Sequence, residues 1–479
     1  MHRLIALSLV FSSVTLAAPR FATRQPAGMV ALGVIPSDAR DSFGETLGGL
    51  GSAIYIKRGK YSIDDAAGVL VLQPDRGFNV LEPIPWQGRF HTFSFQLKPY
   101  YDTANLSFDD AQSTLELEYT KTRLYTDKDT TPVSGADALA ERPSQGDDPI
   151  LPIFSTEDNR ISFDPEGIVQ NADGSYFVSE EYGPMIHLFD STGQRILSFS
   201  PPDAVLPRIS GNLNFTSSRD PDRWGLTASS DGTTLYALLQ SALMQDGGSS
   251  DSKLTNRYTR LFAWDISALL SKGDKKKSVS ASAIKLIEEY VVPLPQSSKG
   301  KTRAQSEIYY LNNQQFLVLA RDGDGHGSDE LSTGYKNIDI FDISNATNIV
   351  GLYDGPTDAV APGGQLRADV TPASYQAFVN LADDTQLARF GLHNGKPADA
   401  TLINAKWESI ALTPVGDAEN PDDYFLFAVS DNDFITTNGI SLGEPYSQPE
   451  DVDTQIIVYR VTLPTVPKGS VERAISLDG

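Results

Sequence analysis

The stretch YFLFAVSDND (424–433) is a short apolar run that ends in acids, and the same pattern recurs along the chain. GVLVLQPDRG (68–77), SYFVSEEYG (175–183), TLYALLQSA (234–242) and QFLVLARDG (315–323) are further versions, most of them ending in a charged motif. Four of the five units are followed by a second apolar strand that closes on a charge: MIHLFD, RLFAWD, NIDIFD and QIIVYR. Two of the first strands are introduced by N-A-D-G (171–174) or S-S-D-G (229–232), where Asp-Gly supplies the positive φ of a tight hairpin. Segments 92–98 and 114–125 alternate like half-buried strands, and the one short helical periodicity runs from Tyr375 to Leu387.

Antiparallel strands in a repeat longer than a hairpin, with no helices between them, predict an all-β chain. The expected architecture is a single-domain β-propeller of about six blades, with seven also fitting. A β-sandwich does not explain why charged motifs return at the same place in each unit. Segments 126–149, 243–256, 271–280, 296–304 and 355–370 are rich in Gly, Ser, Pro or charge and read as inter-strand loops.

Composition narrows the function. Of 479 residues 40% are hydrophobic and 21% charged, enough for a large core and too ordinary for disorder or coiled coil. Lys and Arg number 39 against 62 Asp and Glu, a formal net charge of −23 that repels polyphosphate backbones and anionic membranes. Neither nucleic acid nor membrane is therefore an expected partner. The chain has no cysteine, which excludes thiol catalysis, zinc-thiolate sites and iron–sulfur clusters. His2 and Arg3, an apolar stretch from Leu4 to Leu16 and the small pair Ala17 and Ala18 read as an export signal over residues 1–17. A secreted monomer is expected, with N-glycans at Asn105, Asn214 and Asn345 if the host is a eukaryote.

In a propeller the equivalent strand end of every blade meets one face of the central channel, so acids at those ends converge. They include Asp75, Asp164, Glu166, Glu180, Glu181, Glu307, Asp322, Asp324, Glu408, Asp431 and Asp433. Converging carboxylates are either protonated or neutralised by metal, Arg or Lys. Oxygen-rich clusters with few His and no Cys select hard cations, so Ca²⁺ is the expected ion. The ligand set is Asp75, Glu166, Glu180, Glu307, Asp322, Glu408, Asp431 and Asp433. Arg76, Arg321 and Lys406 lie in the same motifs and can reverse the local sign toward a phosphate. The segment from Asp322 to Gly327 looks like the start of an EF-hand but has Thr333 where the twelfth-position Glu is required. No G-x-S-x-G, H-E-x-x-H, Walker A or dinucleotide fingerprint occurs. His326 is a minor acid–base candidate, His187 reads as structural, and the run Lys272, Lys275, Lys276 and Lys277 as a solvated loop. Trp224 and Trp407 either stack on a sugar or, more simply, pack between blades.

Taken in order, F-D-P-E-G-I (163–168) with S-E-E-Y-G, W-G-L-T-A-S-S-D-G (224–232), F-L-V-L-A-R-D (316–322), K-W-E-S-I-A-L (406–412) and S-D-N-D-F (430–434) resemble the phytase-like family, also called the esterase-like activity of phytase domain. The resemblance runs from about Gly48 to Val461 and implies one phytase-like propeller domain over 18–479. It also implies a phosphoesterase activity, with the family's blade acids on Glu166, Glu180, Glu307, Asp322, Glu408, Asp431 and Asp433 and its D-R-G on Asp75 to Gly77. One departure is Trp224, which stands where the family usually carries a Glu.

The leading expectation is a secreted, calcium-dependent hydrolase of small phosphoric esters. In it Glu180 or Asp431 positions water, and Arg76, Arg321 or Lys406 assists. The alternatives are a non-catalytic extracellular ligand-binding propeller with structural calcium, and a carboxyl-ester or lactone hydrolase.

Overall fold

In the computed structural model, residues 28–78, 84–215, 224–248, 253–270 and 280–477 are described. The proposed export signal and the lysine run at 272–277 lie outside them. The chain forms five four-stranded antiparallel sheets. Their inner strands are Ala53–Ile56, Pro165–Gln170, Trp224–Ala228, Ala304–Asn312 and Lys406–Pro414, and each packs against two others, closing a ring around a channel. We number the blades one to five in that order.

Within each blade the sequence dictates a meander. In blade two N-A-D-G makes the first turn: Gly174 adopts φ +86° and the Asp173 carboxylate accepts from the Ser175 amide at 3.2 Å. S-S-D-G does the same in blade three through Gly232 at φ +72° and Asp231. The five repeated motifs are the second strands of the five blades, and the apolar runs that follow four of them are the third strands. The apolar faces of neighbouring sheets interlock. Phe177, Leu188 and Trp264 fill one space between blades two and three, and Leu319, Trp407 and Leu426 another between blades four and five.

Two expectations are corrected. There are five blades and not six: segments 92–98 and 114–125 are the third and fourth strands of blade one, and much of the additional length lies in loops such as 125–164 and 343–373. The segment Tyr375 to Leu387 is no helix. Ser374–Asn380 is the outer strand of blade four, and a short helix, Asp384–Arg389, starts after Asp383 caps it by accepting from the Gln386 amide.

Ring closure uses both ends of the chain. Strand Gly28–Ile35 forms the outer edge of blade five, paired antiparallel with Thr454–Thr462, and buries Met29, Val30, Ala31 and Leu32. Beyond this blade the helix Ser470–Ala474 folds back over one end of the channel, where Arg58 donates to the carbonyls of Arg473 and Ala474. Among the described residues no helix is long and apolar enough to cross a membrane.

Two outcomes are expected. Leu32→Ala should lower the unfolding free energy by about 2 to 5 kcal/mol in denaturant titrations, the range for an aliphatic core truncation. A near-zero change would mean that the closing strand bears little load. His187 is fully buried against Ser198 Oγ at 2.6 Å, and burial pushes its pKa down from 6.5 to about 3. Below pH 6.5 the unfolded chain takes up a proton that the folded chain refuses, so stability falls as pH drops toward 3. The contribution is at most about 1.4 kcal/mol per pH unit, and His187→Gln should flatten that limb of the stability profile.

Candidate functional site

Register explains why the charged motifs meet. The first residue of each inner strand pairs with the end of its own second strand: Ala53 with Gln73, Pro165 with Glu180, Trp224 with Leu239, Ala304 with Arg321 and Lys406 with Asp431. All five ends open on the same mouth of the channel.

At this mouth Asp75, Asp431 and Asp433 each present an oxygen within 4.8 Å of the others. The Lys406 ammonium stands among them, 2.6 Å from Asp431 Oδ2, 2.6 Å from Asp433 Oδ1 and 3.7 Å from Glu408. Burial opposes the charge on Lys406, yet Asp431, Glu408, Asp433 and Asp75 outweigh it and hold the pKa well above 10.5. Burial also raises Asp75 and Asp431, which Lys406 counteracts and the neighbouring carboxylates reinforce.

The turn after blade five's second strand is built to hold this arrangement. Asp433 and Phe434 both sit in the left-handed region, at φ +51° and +56°. That strained pair persists because Asn432 accepts from the Phe434 and Gly49 amides and donates to the Val452 carbonyl. Gly51 allows the contact from blade one: a side chain there would collide with the Ser430 carbonyl and the Asp431 amide.

A second cluster lies beside the first. Asp164, Glu166 and Glu181 also place oxygens within 4.8 Å of one another. Arg76 joins the two clusters: its amide donates to Asp164 Oδ1 at 3.1 Å, and its guanidinium lies 3.5 Å from Asp164 and 2.9 Å from the Tyr182 hydroxyl. The Arg76 side chain remains 30% exposed, the opening through which a ligand can meet it.

Other predicted site residues are placed differently. Glu180 is buried and turned into its own loop, its two oxygens accepting from the Tyr182 and Gly183 amides. Glu307 is buried mid-strand and accepts from the Leu226 and Ile308 amides. Asp322 accepts from Thr333 and from the Gly334 and Tyr335 amides, which with Lys336 and Arg303 outweigh burial and hold its pKa low. Glu408 receives Arg321 from blade four, a tie between blades. His326 is buried and reaches Glu450 at 3.5 Å. Trp224 and Trp407 are buried at 1% and 0% exposure, which corrects the sugar-stacking option in favour of packing.

Asp164 and Glu181, absent from the expected ligand set, are the residues the fold adds to Glu166. Glu180 ends its strand and Glu181 begins the loop, so the choice between them turned on how that loop turns, with its Tyr182 and Gly183 amides taking Glu180.

Comparisons with known proteins follow the same line. A family model described as "Phytase-like: Esterase-like activity of phytase" matches residues 47–434. An uncharacterized secreted protein of Arthroderma benhamiae is 34% identical over 469 aligned residues, covering 88% of this chain and 89% of the relative. Among solved structures, a chain from an S. cerevisiae assembly of Dbp5, Nup159 and Gle1 is 11% identical at TM-score 0.27, covering 92% of this chain and 96% of that one. A luciferin-regenerating enzyme is 11% identical at TM-score 0.27, covering 90% and 95%. Likeness at that level bears on neither blade count nor chemistry.

The geometry yields a pair of expected outcomes for stability. Lys406→Met strands buried Asp431 without its cation and should cost about 3 to 5 kcal/mol in the metal-free protein. Glu180→Gln should also destabilise, because an amide NH2 would face a backbone N–H. Thermal melting of both variants in chelator checks this, and unchanged melting of either would contradict the assigned pairing.

Proposed function

Because the chain belongs to the phytase-like family, we propose that it is an exported hydrolase of ester bonds that takes small phosphoric esters and uses calcium. The observation that carries this reading is the juxtaposition, at one channel mouth, of the Asp164–Glu166–Glu181 cluster with the half-open Arg76 guanidinium. Export rests on the secreted Arthroderma relative and on the apolar amino-terminal stretch. The same reading makes the protein a monomer that carries N-glycans at Asn105 and Asn345, which are exposed, and at Asn214, which is half-buried.

The residues fit calcium in one cluster better than in the other. Calcium takes oxygen ligands at about 2.3–2.6 Å, so two oxygens on one ion lie within about 5 Å of each other. Asp164, Glu166 and Glu181 meet that span and are acceptors only. Asp75, Asp431 and Asp433 meet it too, but there the Lys406 ammonium already provides the cation. When bound, calcium supplies positive charge toward a phosphoryl oxygen and makes a bound water more acidic.

The chain's own groups do the rest. Arg76 binds and orients a phosphoryl oxygen with its outer N–H groups. Asp75, whose pKa burial raises to about 7, acts in its ionised form: it takes the proton of the attacking water and passes that proton to the departing alkoxide oxygen, returning to the carboxylate. Lys406 fixes Asp431 and Asp433 and adds field toward charge that develops in the transition state. Glu180 acts only through the turn that presents Glu181.

A second reading keeps the calcium and drops the catalysis. It is favoured by the pairing of each cation at the mouth: Lys406 with Asp431, Arg321 with Glu408, and Arg76 with Asp137 and Asp164.

One panel separates the readings: phytate, a phosphomonoester, a phosphodiester, a carboxyl ester and a lactone, each with calcium and with chelator. Turnover of a phosphate ester that chelator removes and Asp75→Asn abolishes is the expected result. Turnover of carboxyl esters alone would move the substrate class, and no turnover would leave a binding propeller. Calcium at a hundredfold excess over Kd should add about 2.7 kcal/mol of stability, read as a rise in Tm that chelator reverses.

A further inference from the structure

The channel has a second compartment at the end opposite the acids, and it has the make-up of a ligand site. All five inner strands line it with aliphatic side chains, among them Ile54, Ile168, Leu226 and Leu412, and Val471 of the helix Ser470–Ala474 lines it from the end. Its volume is about 120 Å³. Aliphatic cavities of about 150 Å³ bind benzene, so the aliphatic part of this space suits an apolar body of about that size.

Polar residues line it as well, among them Arg58, Gln170, Asn171, Thr227 and Asp231, and one buried carboxyl, Glu307, enters between the aliphatic side chains. Glu307 is 3% exposed and spends Oε1 on two amides, Leu226 N at 2.8 Å and Ile308 N at 2.9 Å. Its Oε2 has no hydrogen-bond partner among the described residues. Burial raises the Glu307 pKa well above 4.5, with the two amides opposing it, so burial favours the protonated carboxyl. A buried carboxyl oxygen without a hydrogen-bond partner is costly unless something bonds to it.

We propose that this channel compartment binds a small uncharged molecule with an apolar body of about benzene size and one hydroxyl group, which hydrogen-bonds the unpartnered Oε2 of Glu307. The body occupies the space between Ile54, Ile168 and Leu412, and Val471 covers it. The closing helix is held by Arg58, whose Nη2 donates to the Arg473 carbonyl at 3.1 Å and whose Nε donates to Ser476 Oγ at 3.0 Å. The Gly59 amide also donates to the Ile475 carbonyl at 2.7 Å, and Val471 and Ile475 are packed in the core, so the five-residue helix is held at several points. The compartment is separate from the proposed ester site, so its occupancy and the hydrolytic activity can succeed or fail independently.

The test is calorimetric titration of the full chain with benzene and with phenol. Both should bind saturably, phenol about tenfold more tightly because only it offers an oxygen to Glu307. Glu307→Leu should remove the preference for phenol, and Val471→Trp, which fills the space from the helix side, should abolish binding of both. No saturable binding by wild type, or undiminished binding by a folded Val471→Trp variant, would overturn the proposal. If either variant fails to fold, crystals of the wild type soaked in p-bromophenol decide: bromine between Ile168 and Leu412 supports the site, and bromine only elsewhere refutes it.

Discussion

The interaction on which the channel mouth depends is the contact of the Lys406 ammonium with Asp431 and Asp433. A five-fold ring directs equivalent strand ends to one axis, so any acid recurring in the repeat is brought against its counterparts from other blades. Without a cation, Asp75, Asp431 and Asp433 would have to be protonated or the ring would have to open. Lys406 resolves this from within blade five, where the chain also closes on itself through Gly28–Ile35. Closure and charge balance thus fall in the same blade. The Asp164 cluster is balanced differently, by an arginine from blade one whose side chain is 30% exposed.

A second constraint shapes the channel walls. Each inner strand is a sheet edge, and the backbone groups on its free side need partners other than a neighbouring strand. Side chains supply them: Ser179 accepts from Gly167, Thr227 from Tyr310, Glu307 from Leu226 and Gln170 from Arg58. These bonds account for several buried polar residues that are indistinguishable, in sequence, from catalytic ones. They also divide the channel into a charged mouth and an apolar compartment, with Glu307 between them.

Much of the architecture was legible because a propeller repeats. The five acid-ended strands are the five second strands, and the Asp-Gly turns fall where φ is positive. The expected six blades exceed the five observed; segments 92–98 and 114–125, which carry no motif, complete blade one. The helix expected at Tyr375 to Leu387 merged two elements: a strand ends at Asn380 and a helix starts at Asp384, and their joined apolar spacing imitates one longer helix. At the site, the motifs located Asp75, Glu166, Asp431 and Lys406 at the mouth. They did not distinguish Glu180 from Glu181, because which one reaches the channel depends on how the loop turns after the strand, and two amides of that loop claim Glu180. Nor did they show that Trp224, at a position where the family usually carries Glu, packs 5.6 Å from Phe262 in the core.

The account stands on a mouth that holds a cation and a phosphoryl group side by side. Anomalous diffraction from crystals grown with terbium(III) in place of calcium, together with inorganic phosphate, examines that directly. The account predicts a metal peak bounded by Asp164, Glu166 and Glu181 with phosphate density against Arg76. Metal and phosphate peaks found only on the outer surface, with none against Asp164, Glu166, Glu181 or Arg76, would contradict it.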